Sequence, residues 1–222
     1  RLELMHRLHD AGLNVLADKP WMTDSANLWH LDAITRGAPL AVDIMTGRYG
    51  ATAELRNAVI TSKDVFGALS TDQTTPAIEF FSRHHLLKTV DGRPLRRPPW
   101  FYDVAVQGDG MVDIHSHYVD QAQWIVDPDH HYDADQDIEI LDAERWATEV
   151  PLDLFQESTG DAAFPDYLRD AVEGDVLRFA CNGRIDYRLR GIRVRHHCEW
   201  GLREPDGGSD AHGFVARGEN AE

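Results

Sequence analysis

The sequence predicts two architectures in series: α/β at the start, as part of a doubly wound parallel sheet, then α+β, a large, open-faced and mainly antiparallel sheet with helices. Three observations predict it. Residues 2–45 alternate helical and strand patterns with short loops, the signature of parallel strands joined by helical crossovers. After residue 61 strand-like runs dominate, the last of them alternating arginines with apolar residues. One stretch inside that second region, 109–126, breaks the strand texture with a helical one.

The elements follow in order. Leu2, Met5, Leu8 and His9 recur at helical spacing, and Gly12 stands where a helix C-terminal glycine belongs. Asn14 to Ala17 reads as a short buried strand stopped by Asp18-Lys19-Pro20. Thr23 or Asp24 can cap a second helix carrying Ala26, Leu28, Leu31 and Ile34, closed by Gly37. Pro39 to Met45 is the next strand, and Thr52 to Thr61 a third helix. Strands are then predicted at 66–69, 77–88, 100–106, 138–147, 176–180, 185–189, 192–202 and 213–215, with a slip of register at Gly191. Pro94 to Pro99 is a basic, proline-rich connector. The expected division is residues 1–47 for the parallel-sheet part and 48–222 for the sheet-rich part.

Composition narrows the function classes. Hydrophobic residues make up 42% and charged residues 27%, an ordinary globular mixture. The net charge of −16 argues against nucleic acid or an anionic membrane as partner. No apolar run approaches the ~20 residues that a membrane-spanning helix needs. Cys181 and Cys198 fit a reducing compartment or one incidental bridge, and no metal cluster can rest on them. We expect a cytoplasmic protein, although the chain opens inside a helical pattern without Met and both ends look cut, so an export segment could precede Arg1.

Three constellations could carry chemistry. Asp18-Lys19-Pro20 directly follows a strand, and ligands of open parallel sheets bind at the carboxyl ends of strands; a solvated turn lysine is the plain alternative. Asp113-Ile114-His115-Ser116-His117 reads in two ways. As a strand it places Asp113, His115 and His117 on one face, a metal triad. As a helix it pairs Asp113 with His117, four apart, and sends His115 to the other side. Asp109 as cap and the absence of proline before Pro128 favour the helix, with Asp113 orienting His117 as a general base. The pairs His84-His85, His130-His131 and His196-His197 cannot chelate from a strand, whose successive residues face opposite ways. The acidic loop 127–137 could attract a cation or be a solvated face. No Gly-x-Gly-x-x-Gly, P-loop, Gly-x-Ser-x-Gly or His-Glu-x-x-His occurs.

Two of these segments resemble motifs of the Gfo/Idh/MocA oxidoreductases. Leu13 to Pro20 resembles their strand end ("hVxxEKP"), with Asp18 for the usual glutamate, and Gly110 to Asp120 resembles their "G-x-x-x-D-x-G-x-H-x-x-D" helix, with His115 where a small residue usually stands. Asn182 to Tyr187 and Trp200 further resemble a subgroup described as putative oxidoreductases.

The resemblance implies a Rossmann domain, of which residues 1–47 would be the C-terminal part, and an open-faced sheet that binds substrate. It implies NAD or NADP as cofactor and a sugar- or cyclitol-like secondary alcohol as substrate. His117 would be the acid/base, Asp113 its orienting carboxylate or a substrate ligand, and Lys19 the donor to the reacting oxygen, with Asp18, Lys19 and Pro20 bordering the cofactor and Asp120 structural. The glycine-rich fingerprint would lie upstream of Arg1, so this piece alone would hold the cofactor poorly. A dimer or tetramer is implied as well. Two other readings compete: a metal-dependent hydrolase or isomerase using Asp113, His115 and His117, and a non-catalytic sugar-binding or dimerisation module.

Overall fold

The computed structural model describes the backbone of residues 1–222 and the side chains of all of them but Thr46. It begins with helix α1 (Leu2–Asp10), strand β1 (Val15–Asp18), helix α2 (Leu28–Ile34) and strand β2 (Ala41–Ile44). Gly12 and Gly37 end the two helices with φ near +79° and +88°, which glycine adopts without steric penalty. Asp24 accepts the Ala26 N–H and caps the turn that leads into α2. β1 and β2 pair in parallel, Val15 opposite Ala41 and Asp18 opposite Ile44. Leu2, Met5, Val15 and Ile34 form their common core. β1 is buried on one face only: Leu16 is 68% exposed, because the two-stranded sheet carries its helices on the Val15 side.

The turn Thr46–Tyr49 and helix α3 (Ala51–Ile60) lead to the larger sheet. Its strands are β3 (Ile78–Leu87), β6 (Ile138–Pro151), β7 (Val172–Glu173), β8 (Val176–Leu189), β9 (Ile192–Arg203) and β10 (Ala211–Ala216); the short pair β4 (Thr89–Val90) and β5 (Arg93–Pro94) stands apart. The order is β10-β3-β9-β8-β6, with β7 beside β8. Every pairing is antiparallel except β3 with β9.

Helix α5 (His115–Val126) lies on one face, where Tyr118, Ala122 and Ile125, at helical spacing, join Phe80, Tyr187 and Val194. Further along that face Leu86, Phe101, Tyr102, Phe155 and Phe179 gather, with α4 (Val104–Gln107), α6 (Ala134–Asp137) and α7 (Leu152–Thr159) completing the elements. Each fully buried leucine or phenylalanine contributes about 1.5–3 kcal/mol. The opposite face carries ion pairs in place of an apolar layer: Asp186 takes both Arg193 and Arg195, and Glu79 takes Arg217 and Arg195.

Several expectations are corrected. Residues 66–69 form turns, with one bridge from Leu69 to Gly218 and Phe66 turned into the core. Residues 100–106 form a 3₁₀ turn (Pro99–Tyr102) and α4, since Pro99 pre-sets the first turn and Asp103 caps the next. Strands 176–180 and 185–189 are one strand, β8. The slip at Gly191 is the two-residue turn between β8 and β9, with φ positive at both Arg190 and Gly191. The helix predicted over 109–126 starts only at His115. Residues 109–114 instead form a turn pinned on β8: Gly110 N–H donates to the Ala180 carbonyl at 2.8 Å. The backbones touch so closely that a Cβ on Gly110 would stand 2.1 Å from the Asn182 carbonyl oxygen.

Candidate active site

The end of β1 points Lys19 at the turn before α5. The Asp18 carboxylate accepts the Lys19 N–H at 2.9 Å, and Trp21 Nε1 donates to the Ala17 carbonyl at 3.1 Å, so the loop after the strand is closed on itself. Lys19 Nζ donates to Asp113 Oδ1 at 2.7 Å and to the Asp113 carbonyl oxygen. Gln107 Nε2, from α4, donates to the same Oδ1 at 2.8 Å. Both charged side chains are largely buried, 14% exposed for Lys19 and 11% for Asp113. The strand end of one sheet and the α5 turn on the other thus meet in a charge-assisted contact across 94 residues of sequence.

His117 lies one turn further on, in the first turn of α5. Its Nδ1 is 3.1 Å from Met45 Sδ, just past the end of β2. The turn Thr46–Tyr49 leans on this face of the helix: a Cβ on Gly47 would be 3.3 Å from Gln121 Nε2 and 3.8 Å from His117 Nδ1. Arg48 pairs with Asp120 and lies over the Trp124 ring at 5.6 Å, while Arg56 donates to Gln121 Oε1. Burial, then the nearby Lys19 ammonium, pushes the His117 imidazole below its ordinary value, against the pull of Asp113, Asp18 and Asp120. Asp43, at the end of β2, is pushed up by burial and by Asp18 and Asp120.

Lys19, Asp113 and His117 are therefore gathered where the end of β1 meets the start of α5: Lys19 touches Asp113, and both are close enough to His117 to act on its charge. The expectation that Asp113 orients His117 is corrected, because the Asp113 carboxylate is engaged by Lys19 and Gln107 and makes no hydrogen bond to the imidazole. Asp120 holds Arg48 on the helix, the structural part expected of it. His115 points the other way, into the sheet, 1% exposed, with Nε2 3.1 Å from the Gly183 carbonyl oxygen and its ring 5.7 Å from that of His196. The metal triad is corrected on the same ground: a helix sends His115 and His117 to different sides, and among the described residues no group of three or more His, Cys, Asp or Glu could hold a metal ion.

The other candidates resolve into local structure. His84 and His85 face opposite ways, yet both ring Nδ1 atoms reach Asp210, each at 3.3 Å, because Asp210 sits at the strand edge between them. His84 Nε2 is 3.0 Å from Ser82 Oγ, the order of a Ser-His-Asp triad, but Ser82 is 2% exposed and opens on no cleft. In the acidic loop Asp137 pairs with His130, Asp127 with Arg190, and Asp133 caps α6. Cys181 and Cys198 are free thiols in the core. Met45, Gln107 and Arg48 went unnoticed in the sequence: they belong to no motif, and only the fold brings residues 45–48 and 107 to α5.

The family model described as "Putative oxidoreductase C terminal domain" matches residues 55–222. A crystal structure of a putative oxidoreductase from Parabacteroides merdae is 38% identical over 98% of this chain and 51% of its own, with a TM-score of 0.92. Gentamicin A biosynthesis protein GenD2, solved in complex with NAD, is 12% identical over 99% of this chain and 49% of its own, TM-score 0.63. The WlbA dehydrogenase from Thermus thermophilus, solved with NAD and alpha-ketoglutarate, is 13% identical over 96% of this chain and 53% of its own, TM-score 0.52. The last two speak for the fold alone. The chain spans about half the length of each of these proteins. No protein of curated function matches it.

Proposed function

The chain belongs to the oxidoreductase C-terminal domain family of Gfo/Idh/MocA-type oxidoreductases, and from that premise we propose that the whole protein is an NAD- or NADP-dependent dehydrogenase acting on a secondary alcohol of a sugar- or cyclitol-like substrate. The observation that carries the reading is the meeting of Lys19, from the end of a parallel strand, with Asp113, one turn before His117. In this reading residues 1–47 complete the cofactor domain and residues 48–222 form the substrate domain.

The residues present fit the nicotinamide end of such a cofactor. Asp18, Lys19 and Pro20 lie at the carboxyl end of β1, beside the end of β2, which is where dinucleotides bind in open α/β sheets. When bound, the cofactor supplies the hydride acceptor. The chain's own groups manage the proton and the charge. Two of the three Lys19 N–H donors are held by Asp113, which aims the third; that donor stabilises negative charge growing on the substrate oxygen. His117, kept neutral by burial and by Lys19, accepts the hydroxyl proton. Asp113 keeps Lys19 aimed, and its second oxygen would take a neighbouring substrate hydroxyl. The uncovered face of the large sheet supports assembly with a second copy. Among the described residues no helix is long and apolar enough to cross a membrane.

In the full-length protein His117→Ala should lower kcat by ~10²-fold or more, with cofactor affinity retained. Near-normal turnover in that variant would remove His117 from the chemistry.

A further inference from the structure

We propose that Met45 fixes the tautomer of His117, keeping the proton on Nδ1 and leaving Nε2 as the bare, basic nitrogen. The assignment rests on the reading of His117 as the base and deepens it. A histidine that acts through one nitrogen needs the other held by a partner that accepts a hydrogen bond, most often a carboxylate or a backbone carbonyl. The carboxylate one turn earlier, Asp113, is occupied by Lys19 and Gln107. Asp120 is occupied by Arg48. The side chain of Gln121 offers no acceptor either: Arg56 takes its Oε1, so the Nε2 that approaches Gly47 is a donor.

What His117 Nδ1 does meet is Met45 Sδ, at 3.1 Å. A thioether sulfur carries lone pairs and no proton, so it can only accept. At that separation a bare Nδ1 would set lone pair against lone pair, whereas a protonated Nδ1 makes an N–H···S bond. One ring proton on Nδ1 leaves none on Nε2. Nε2 has no hydrogen-bond partner among the described residues, and His117 is only partly buried, unlike His115 and His196. The nitrogen left basic is therefore the one that no described residue engages. Met45 is held for this role by β2, whose last residue, Ile44, pairs with Asp18, and by the turn that follows it on α5. It acts through His117 and is a positioning residue.

The test is nitrogen NMR on full-length protein labelled with ¹⁵N-histidine, above the His117 titration, where protonated and bare ring nitrogens resonate far apart. Wild type should show His117 with Nδ1 protonated and Nε2 bare. Met45→Leu, of similar volume but without an acceptor, should shift the population toward Nε2–H and lower kcat about 2- to 5-fold at unchanged KM, as befits a weak hydrogen bond. Met45→Gln, which brings back an acceptor, should restore the wild-type spectrum. An Nε2–H tautomer in wild type, a leucine variant with unchanged ring signals, or a glutamine variant that behaves like leucine would each overturn the assignment. A tautomer shift with turnover unchanged would uphold Met45 and remove His117 from the base role.

Discussion

Lowering the pH from 7 to 5 should cost the fold about 4 kcal/mol through two buried histidines, with a third adding in the same direction. His84, His115 and His196 are core residues, and burial keeps them uncharged: it takes His84 and His115 down to about 4, outweighing the pull of Asp210 on His84, and His196 well below its ordinary value. In the unfolded chain each titrates near 6.5. Between the two values the unfolded chain binds protons that the folded chain refuses. Stability is therefore complete above about pH 6.5 and falls with pH through the window down to about 4. From pH 7 to 5 His84 and His115 each lose about 2 kcal/mol, at about 1.4 kcal/mol per pH unit, together a large part of the net stability of many domains, and His196 adds in the same direction. The lowered His117 adds in the same direction; Asp186 and Asp210, held down by their arginine, lysine and histidine partners against burial, add only below the ordinary carboxylate value. Urea unfolding followed by tryptophan fluorescence at several pH values measures the slope. A total loss under about 2 kcal/mol, one histidine's share, would refute the reasoning.

Two further predictions concern the frame of the cleft. Gly110→Ala puts a methyl group into the Asn182 backbone, which cannot move aside, and should cost about 1–3 kcal/mol in thermal unfolding while weakening the Lys19–Asp113 contact; an unchanged Tm would show that the turn has room. Asp186→Asn should destabilise by about 2–3 kcal/mol, because it leaves Arg193 and Arg195 facing each other over a neutral amide; a loss below about 0.5 kcal/mol would reduce the network to a surface pair.

The parts of this structure that could be read from the sequence are those fixed locally. Glycine and aspartate caps bound the first helices, and alternation across 192–202 marks a half-covered strand. The Lys19 turn and the His117 helix carry enough local pattern to be found, and their motifs place them in order. The readings that failed do so where a local cap outweighs composition or where tertiary contact overrides spacing. Residues 100–106 are aromatic and β-branched and look like a strand, yet prolines and a capping aspartate wind them into turns. Asp113 and His117 are correctly spaced for each other, yet Lys19, 94 residues earlier, takes the carboxylate, and Met45 takes the imidazole. No spacing rule announces a thioether that arrives through the fold.

The single parallel junction in the large sheet bears on how the molecule is made. Strand β3 finds both neighbours late: Ile78 waits for Val194 on one side and for Ala216 on the other. At the usual pace of a ribosome, about 5–20 residues per second, an edge rich in phenylalanine and histidine stays unsatisfied for several seconds after it leaves the exit tunnel. The tight hairpin of β8 and β9 gives a nucleus that closes locally. Only afterwards can β3 be zipped in, so nascent chains stalled before residue 192 should be clients for chaperones, and those extended past 216 should not.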